Sequence, residues 1–77
     1  MLDLVKYIVE QLVDDKNAID ITSATNEDGS ETITIKVAEN DIGKVIGKQG
    51  KIAMSIRTLA KAVGIREGKH YSIEIED

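Results

Sequence analysis

The segment Gly47-Lys48-Gln49-Gly50 places two glycines three residues apart around a cationic side chain. Glycine adopts backbone angles that other residues avoid, and its lack of a side chain lets another backbone approach closely. Lys51 adds a second positive charge directly after the segment. A narrow cationic turn of this kind is suited to hold phosphate groups. Whether it can do so depends on the elements on either side of it.

The turn lies between two predicted helices. Residues 42–46 predict a helix of one or two turns, with Asn40 or Asp41 as its N-cap. The second helix is predicted over residues 51–63, with Gly64 as its C-cap. Its apolar face consists of Ile52, Ile56, Leu59, Ala60 and Val63. The start of that helix would present unpaired N–H groups and a partial positive charge, which favour a phosphate oxygen.

The formal net charge of −4 conceals a strong asymmetry along the chain. Residues 1–41 carry a net charge of −7, whereas residues 42–69 carry +6. The basic segment therefore coincides with the glycine turn and its two helices. An anionic ligand would be attracted there and repelled by the remaining surface. For charge alone, an ordinary solvated helix face is the commoner explanation.

The other elements follow from changes in apolar periodicity. A helix is predicted over residues 2–14, ending near Asn17 in a left-handed conformation. Period-two alternation then predicts a strand around Ile19 and Ile21, a turn at residues 26–30 and a strand over residues 32–37. A last strand is predicted around residues 71–75. The order is α-β-β-α-α-β.

This order predicts one α+β domain over residues 1–77. All three strands alternate, so one sheet face should be solvated and the other covered by the three helices. A right-handed crossover from the last helix would place the final strand parallel to a hairpin strand, giving a three-stranded mixed sheet. No apolar run approaches the roughly 20 residues of a membrane span, and cytoplasmic is the expected location.

Beside the turn we expect a narrow apolar groove. The strand over residues 32–37 is predicted to form its far side. The predicted floor consists of Ile42, Val45, Ile46 and Ile52. The competing interpretation is that Ile46 and Ile52 belong to the core, because a domain this small needs every isoleucine.

The run IGKVIGKQGKIAMSI, residues 42–56, strongly resembles the centre of a KH domain, a family whose helix–GxxG–helix unit holds about four nucleotides of a single strand. One helix and two strands before the motif, and one strand after it, are similar to the bacterial type II form. The length and the run VIGKQGKIAMSIRTLAKAVG resemble the stand-alone KH proteins of the KhpA type.

The resemblance implies a small RNA-binding protein without a cofactor. It assigns the phosphate-gripping loop to Gly47, Lys48, Gln49 and Gly50. Lys44 and Lys51 are implied as flanking contacts, and Arg57 as a weaker one. It further implies a homodimer, pairing with a larger Jag-like KH protein, and a post-transcriptional or RNA-chaperone role linked to cell elongation and division.

Two other functional classes compete with this interpretation. Gly43 to Gln49 superficially resembles a P-loop, but it has three residues between the glycines and Gln49 where a Ser or Thr should stand. With no nucleophile–base pair and no metal-ligand spacing, we predict that the chain is not an enzyme. The second alternative is a protein-interaction module with little RNA binding, in which Leu59, Ala60, Val63 and Ile65 partly face a partner.

Overall fold

The computed structural model describes residues 1–76 and contains three α-helices and three strands. In chain order these are α1 (Leu2–Leu12), β1 (Asp20–Thr25), β2 (Glu31–Lys36), α2 (Ile42–Ile46), α3 (Lys51–Glu67) and β3 (Tyr71–Ile75). Single 3-10 turns precede β1 and α2, and a third forms Lys48–Gly50. The predicted order is confirmed. No helix in this range is both long and apolar enough to cross a membrane.

The sheet has the order β1-β2-β3, with β2 in the centre. β1 runs antiparallel to β2, with Ser23 opposite Ile33. β3 runs parallel to β2, with Ile73 opposite Ile33. The crossover through α2 and α3 therefore produces the predicted mixed sheet, since a parallel neighbour requires a long connection of this kind.

The core lies between the sheet and the helices. Alternate residues of the two neighbouring strands β2 and β3 point into it and are buried: Ile33, Ile35, Tyr71 and Ile73. Each helix contributes to the same cluster, α1 through Val5 and Val9, α2 through Val45, and α3 through Ile56 and Ala60. Ser72 and Glu74 point the other way and are exposed. This is the two-layer arrangement that strand alternation predicted.

The first helix ends earlier than predicted. It stops at Leu12, because Val13 is extended (φ −99°, ψ 155°) and buries its side chain in the core. The prediction of a left-handed Asn17 is wrong. Asn17 lies in the 3-10 turn Lys16–Ala18, where its N–H donates to Oδ1 of Asp15 at 3.2 Å. That local side-chain bond stabilises a turn without a positive φ.

The third helix ends later than predicted, so the prediction of Gly64 as its C-cap is wrong. The helix continues to Glu67, and Gly68 (φ 70°) is the left-handed cap. Gly64 is buried within the helix, where an added Cβ would lie 2.6 Å from the carbonyl oxygen of Lys69. The Gly64 carbonyl also accepts the Lys69 N–H at 2.8 Å. Glycine is required here for close packing of the chain as it returns toward β3.

Candidate nucleic-acid interface

The glycine turn is a tight link between α2 and α3. Gly47 (φ 77°, ψ 171°) has backbone angles that are essentially restricted to glycine. Gln49 (φ 58°) and Gly50 (φ 74°) are both left-handed. The Gly47 N–H donates to the Gly43 carbonyl at 2.9 Å, and the Gly50 N–H donates to the Gly47 carbonyl at 3.1 Å. These bonds fix the turn against the end of α2.

Ile52 lies directly behind the turn. A Cβ added to Gly47 would come within 2.6 Å of Cγ1 of Ile52. Ile52 is half-buried and packs against the core cluster. The structure thus gives Ile52 a supporting position under the loop, which agrees with the competing interpretation that it belongs to the core.

The outer side of the turn is open. Lys48, Gln49 and Lys51 are exposed, and no atom lies within 4 Å of a Cβ added to Gly50. No side chain caps the first turn of α3, whose N-cap is Gly50. The first N–H groups of a helix lack intrahelical carbonyl partners and carry a partial positive charge. Two exposed lysines, Lys48 and Lys51, therefore lie on either side of the N-cap of α3.

Lys44 has a different environment from the other lysines of the motif. Its Nζ pairs with the carboxylates of Asp14 and Asp41, the latter at 3.2 Å. The hydrogen bond to Asp14, followed by that to Asp41, raises the pKa of Lys44 above its ordinary value. Its charge is thus largely balanced within the protein, unlike that of Lys48.

Asp41 is a structural anchor that sequence reasoning treated only as a possible N-cap. It occupies the N-cap position of α2, but its side chain makes no capping hydrogen bond there. Only 2% of its surface is exposed, and its Oδ2 accepts the Asp15 N–H at 3.0 Å. That bond, ahead of the interaction with Lys44, lowers the pKa of Asp41. A signal was present, because Asp41 and Val45 are four residues apart and so share the inward face of a helix.

The predicted groove floor is only partly correct. Val45 is completely buried and cannot contact a ligand, because four residues after Asp41 it points into the core. Ile42 and Ile46 are both half-buried, and Ile42 packs against the core cluster. Of the four predicted floor residues, Ile42 and Ile46 therefore keep part of their apolar side chains accessible on α2.

The strand nearest α3 is β3, so the prediction that residues 32–37 border the groove is wrong. β2 is paired on both sides, and its backbone groups are used within the sheet. The His70 carbonyl accepts the Glu31 N–H, and the Glu76 N–H donates to the Ile35 carbonyl. Even-numbered residues of β3 thus face β2, and odd-numbered residues present their backbone groups at the outer edge.

Arg57 lies at this outer edge, away from the turn. Its Nε donates to the Ile73 carbonyl at 3.3 Å. Together with Lys61, His70 and Ser72, it borders a cleft of about 280 Å³ between α3 and β3. Arg57 follows Lys51 by six residues, which corresponds to a rise of about 9 Å and a rotation of about 240°. A ligand that reached both residues would have to cross the face of α3.

Gly43 lies one turn of helix before the GKQG turn, and sequence reasoning did not select it as a site residue. It is exposed within α2 and does not have a positive φ. Glycine in a helix interior costs about 0.5–1 kcal/mol relative to alanine. The available signal was a glycine inside a predicted helix, next to a turn that already contains two.

Metal binding finds no support in this part of the chain, because within residues 1–76 no three His, Cys, Asp or Glu side chains come together to hold an ion. The chemistry of the open side of the turn is that of cations, backbone N–H groups and bare glycine backbone. Such groups bind phosphate and sugar, and they provide neither a nucleophile nor a general base.

Comparison with known proteins agrees with this geometry. The family model described as "KhpA/KhpB, KH domain" matches residues 2–75. A Caldanaerobacter subterraneus protein named RNA-binding protein KhpA is 47% identical over 97% of this chain and 99% of its own length. Proteins of the same name from Clostridium acetobutylicum and Treponema pallidum are 43% and 40% identical, over 97% of this chain and over 99% and 92% of their own lengths.

No solved structure matches the chain significantly. The relatives carry the name of RNA-binding proteins, which confirms the prediction that the chain is not an enzyme. The match covers all three helices and all three strands, and it includes the complete GKQG turn. The chain belongs to the KhpA/KhpB KH-domain family.

Proposed function

We propose that this protein binds single-stranded RNA and holds about four nucleotides against α2, the GKQG turn and the start of α3. The observation that carries the proposal is the open side of the turn. There Lys48, Gln49 and Lys51 are exposed around a backbone that has no bulk at Gly50. The names of the relatives, RNA-binding protein KhpA, favour RNA over single-stranded DNA.

Each residue of the motif has a distinct role in this proposal. Gly47 and Gly50 give the turn its shape and let the sugar-phosphate chain approach. Lys48 and Lys51 neutralise phosphates, and the Gln49 amide donates hydrogen bonds to the same backbone. Arg57, at the edge of β3, contacts the RNA only where the RNA extends beyond the GKQG turn.

The other predicted site residues contribute less directly. Ile46, half-buried at the end of α2, provides apolar contact for a base. Ile52 supports the backbone of Gly47 from the core side, since a Cβ on Gly47 would lie 2.6 Å from Cγ1 of Ile52. Lys44 adds little charge to the site, because Asp14 and Asp41 already balance it.

We expect the affinity of one domain to be weak. Stacking of bases on aromatic rings is worth about 1–3 kcal/mol per base, and this site has no aromatic ring to provide it. Tyr71 is buried, and its hydroxyl donates to Oε1 of Glu67 at 2.6 Å. Two or three neutralised phosphates predict a slope of about −1.4 to −2.1 in a plot of log affinity against log salt.

Self-association would compensate for weak binding, since a second site on the same RNA raises the effective affinity. We therefore propose a homodimer, and pairing with a larger Jag-like KH protein as the family resemblance implies. The apolar outer face of α3 supports such contacts, because Met54 is 62% exposed and Leu59 38% exposed. We place the dimer in the cytoplasm as a post-transcriptional regulator or RNA chaperone linked to cell elongation and division.

The same apolar face favours a second candidate function, that of a protein-interaction module with little RNA binding. Met54, Leu59 and Ala62 line a shallow apolar depression along α3. Ile65, on the same helix, is 72% exposed. In that case the basic turn would be dispensable.

Titration with oligonucleotides distinguishes the two candidates. Fluorescence anisotropy of labelled single-stranded RNA, single-stranded DNA and duplex RNA would be measured between low and physiological salt. We expect single-stranded RNA to bind most tightly, with the shallow salt slope given above. Absence of binding to all three at low salt would contradict the proposal and leave the interaction module.

A further inference from the structure

The strand β1 forms one edge of the sheet, and the backbone groups along its outer side have no partner within residues 1–76. The Asn26 N–H donates to the Ser30 carbonyl at 2.7 Å, so the even-numbered residues of β1 are those that bond to β2. The odd-numbered residues direct their N–H and C=O groups away from the sheet. These residues are Ile21, Ser23 and Thr25.

This edge lacks the features that usually prevent pairing with another chain. Proteins protect edge strands with proline, with lysine or with a bulge. Residues 20–25 contain neither proline nor lysine, and their register with β2 is continuous. Every residue of β1 except Ile21 is exposed. The opposite edge is different, because Nε of Arg57 donates to the Ile73 carbonyl of β3. The edge of β1 is therefore open to an additional strand.

The charge around β1 selects the kind of strand that fits. The hairpin of β1 and β2 carries a net charge of −3, from Asp20, Glu27, Asp28, Glu31 and Lys36. Exposed carboxylates lie at both ends of β1, on Asp20 and in the turn that follows the strand. A second copy of the chain would bring two acidic hairpins together, and RNA would be repelled in the same way. A cationic strand would be attracted.

The two faces beside this edge differ in chemistry. On the side of the helices, Ser23 borders a cleft together with Leu2 of α1, which is 40% exposed. On the other side of the sheet lies the exposed Asp20. An extended peptide alternates its side chains between two such faces. Aliphatic side chains would therefore pack toward α1, and cationic side chains would lie on the outer face.

We propose that β1 accepts an extended peptide segment of a partner protein, in which lysine or arginine alternates with aliphatic residues, as an additional strand of the sheet. The segment exchanges backbone hydrogen bonds with Ile21, Ser23 and Thr25, and its cations lie beside Asp20. This surface differs from the GKQG turn and from the exposed face of α3. The inference therefore goes beyond the proposed function and does not depend on it.

The probe is a fluorescently labelled peptide of about eight residues that alternates lysine with valine. In one control peptide, glutamate replaces lysine. In a second control, the valine amides are N-methylated. Residues that exchange hydrogen bonds lie directly opposite each other, so the valines on the helix side would provide the bonds to Ser23 and its odd-numbered neighbours. N-methylation removes these donors and leaves the charge unchanged.

The matched protein variants are Ser23→Pro and Ser23→Ala. Proline at position 23 removes an N–H that points away from the sheet, and edge strands tolerate proline at such positions. Alanine removes the hydroxyl and keeps the N–H. Peptide affinity, RNA affinity, the melting temperature and the oligomeric state would be measured on the same samples.

We expect the lysine peptide to bind the wild type and Ser23→Ala equally. The glutamate and N-methylated peptides should bind at least about tenfold more weakly, and Ser23→Pro should weaken binding of the lysine peptide at least about fivefold. All three proteins should bind RNA equally. Hydrogen exchange at the amides of Ile21, Ser23 and Thr25 should slow at least about tenfold when the lysine peptide is bound.

Absence of binding by the lysine peptide would overturn the inference. Equal binding of the lysine and glutamate peptides, or of the methylated and unmethylated ones, would also overturn it. Self-association without peptide that Ser23→Pro abolishes would assign this edge to a second copy and contradict it as well. Should Ser23→Pro fail to fold, the N-methylated peptide and the hydrogen exchange decide. All of these outcomes leave RNA binding at the GKQG turn unaffected.

Discussion

Gly47 and Ile52 pack so closely that a Cβ on the glycine would lie 2.6 Å from Cγ1 of the isoleucine. Ile52 belongs to the first turn of α3 and contacts the core, whereas Gly47 ends α2. The contact therefore joins the two helices through the turn. The two glycines differ in this respect. Ile52 fills the space where a Cβ of Gly47 would lie, whereas a Cβ of Gly50 would face open space.

Alanine substitutions at the two glycines should therefore have different effects on stability. Gly47→Ala introduces strained backbone angles and a clash with Ile52, and we expect a loss of about 2–4 kcal/mol in the free energy of unfolding. Gly50→Ala introduces only the left-handed strain, about 1–2 kcal/mol. Urea denaturation of both variants measures the difference. Equal losses would contradict the supporting position assigned to Ile52.

Asp41 should govern part of the acid stability. Its carboxylate has a lowered pKa in the folded state, chiefly because the Asp15 N–H donates to it. A lowered folded pKa means that the stabilisation is present above the ordinary value of 3.8 and is lost as the pH falls through the lowered value. The melting temperature of the wild type should therefore fall steeply below about pH 4.

The variant Asp41→Asn isolates this contribution. It keeps one hydrogen-bond acceptor for the Asp15 N–H but loses the ion pair with Lys44, so its melting temperature at pH 7 should be lower by about 4–8 °C. On acidification, the melting temperature of this variant should fall less than that of the wild type does. Parallel pH profiles of the two proteins would argue against a major contribution from Asp41.

Asp14 should limit RNA binding, because its ion pair with Lys44 balances the positive charge of that lysine. Its side chain is 86% exposed, so Asp14→Asn removes the ion pair without disturbing the core. Lys44, which then keeps only Asp41 as an ion-pair partner, should tighten RNA binding by about two- to threefold and steepen the salt slope by up to about 0.7. Asp3→Asn on α1 makes the same change of charge away from α2. If both variants tightened binding equally, the effect would be general and would not depend on Lys44.

Sequence periodicity predicted the elements and the sheet because β2, β3 and the helices bury one face each. It failed where a single contact decided the outcome. Gly64 has the appearance of a C-cap, yet it is required inside α3 by the carbonyl of Lys69. Asn17 is a common left-handed residue, but the Asp15 side chain stabilises another turn there. Such contacts depend on residues that are near in space and carry no periodic signal.

The turn was recognisable because its chemistry is local. Gly47, Lys48, Gln49 and Gly50 act through their own backbone and charge, so their spacing in the sequence predicts their placement. The far side of the groove was not predictable in this way. Pattern alone does not determine which of two apolar strands occupies the centre of a sheet, and β3 rather than β2 proved to have the open edge.

The central claim is that the GKQG turn binds RNA, and the double variant Lys48→Asp with Gln49→Asp tests it most directly. Both side chains are exposed, and aspartate tolerates the left-handed backbone of residue 49 better than most residues do. The variant should therefore fold as the wild type does. The pair Lys6→Asp with Gln11→Asp, exposed on α1, makes the same change of charge as a control.

The measurement is a titration of labelled single-stranded RNA with these three proteins at one salt concentration, together with their melting temperatures and oligomeric states. We predict that the turn variant loses at least about tenfold in affinity while its fold and assembly persist, and that the α1 control stays close to the wild type. Undiminished RNA binding by a folded turn variant would contradict the account.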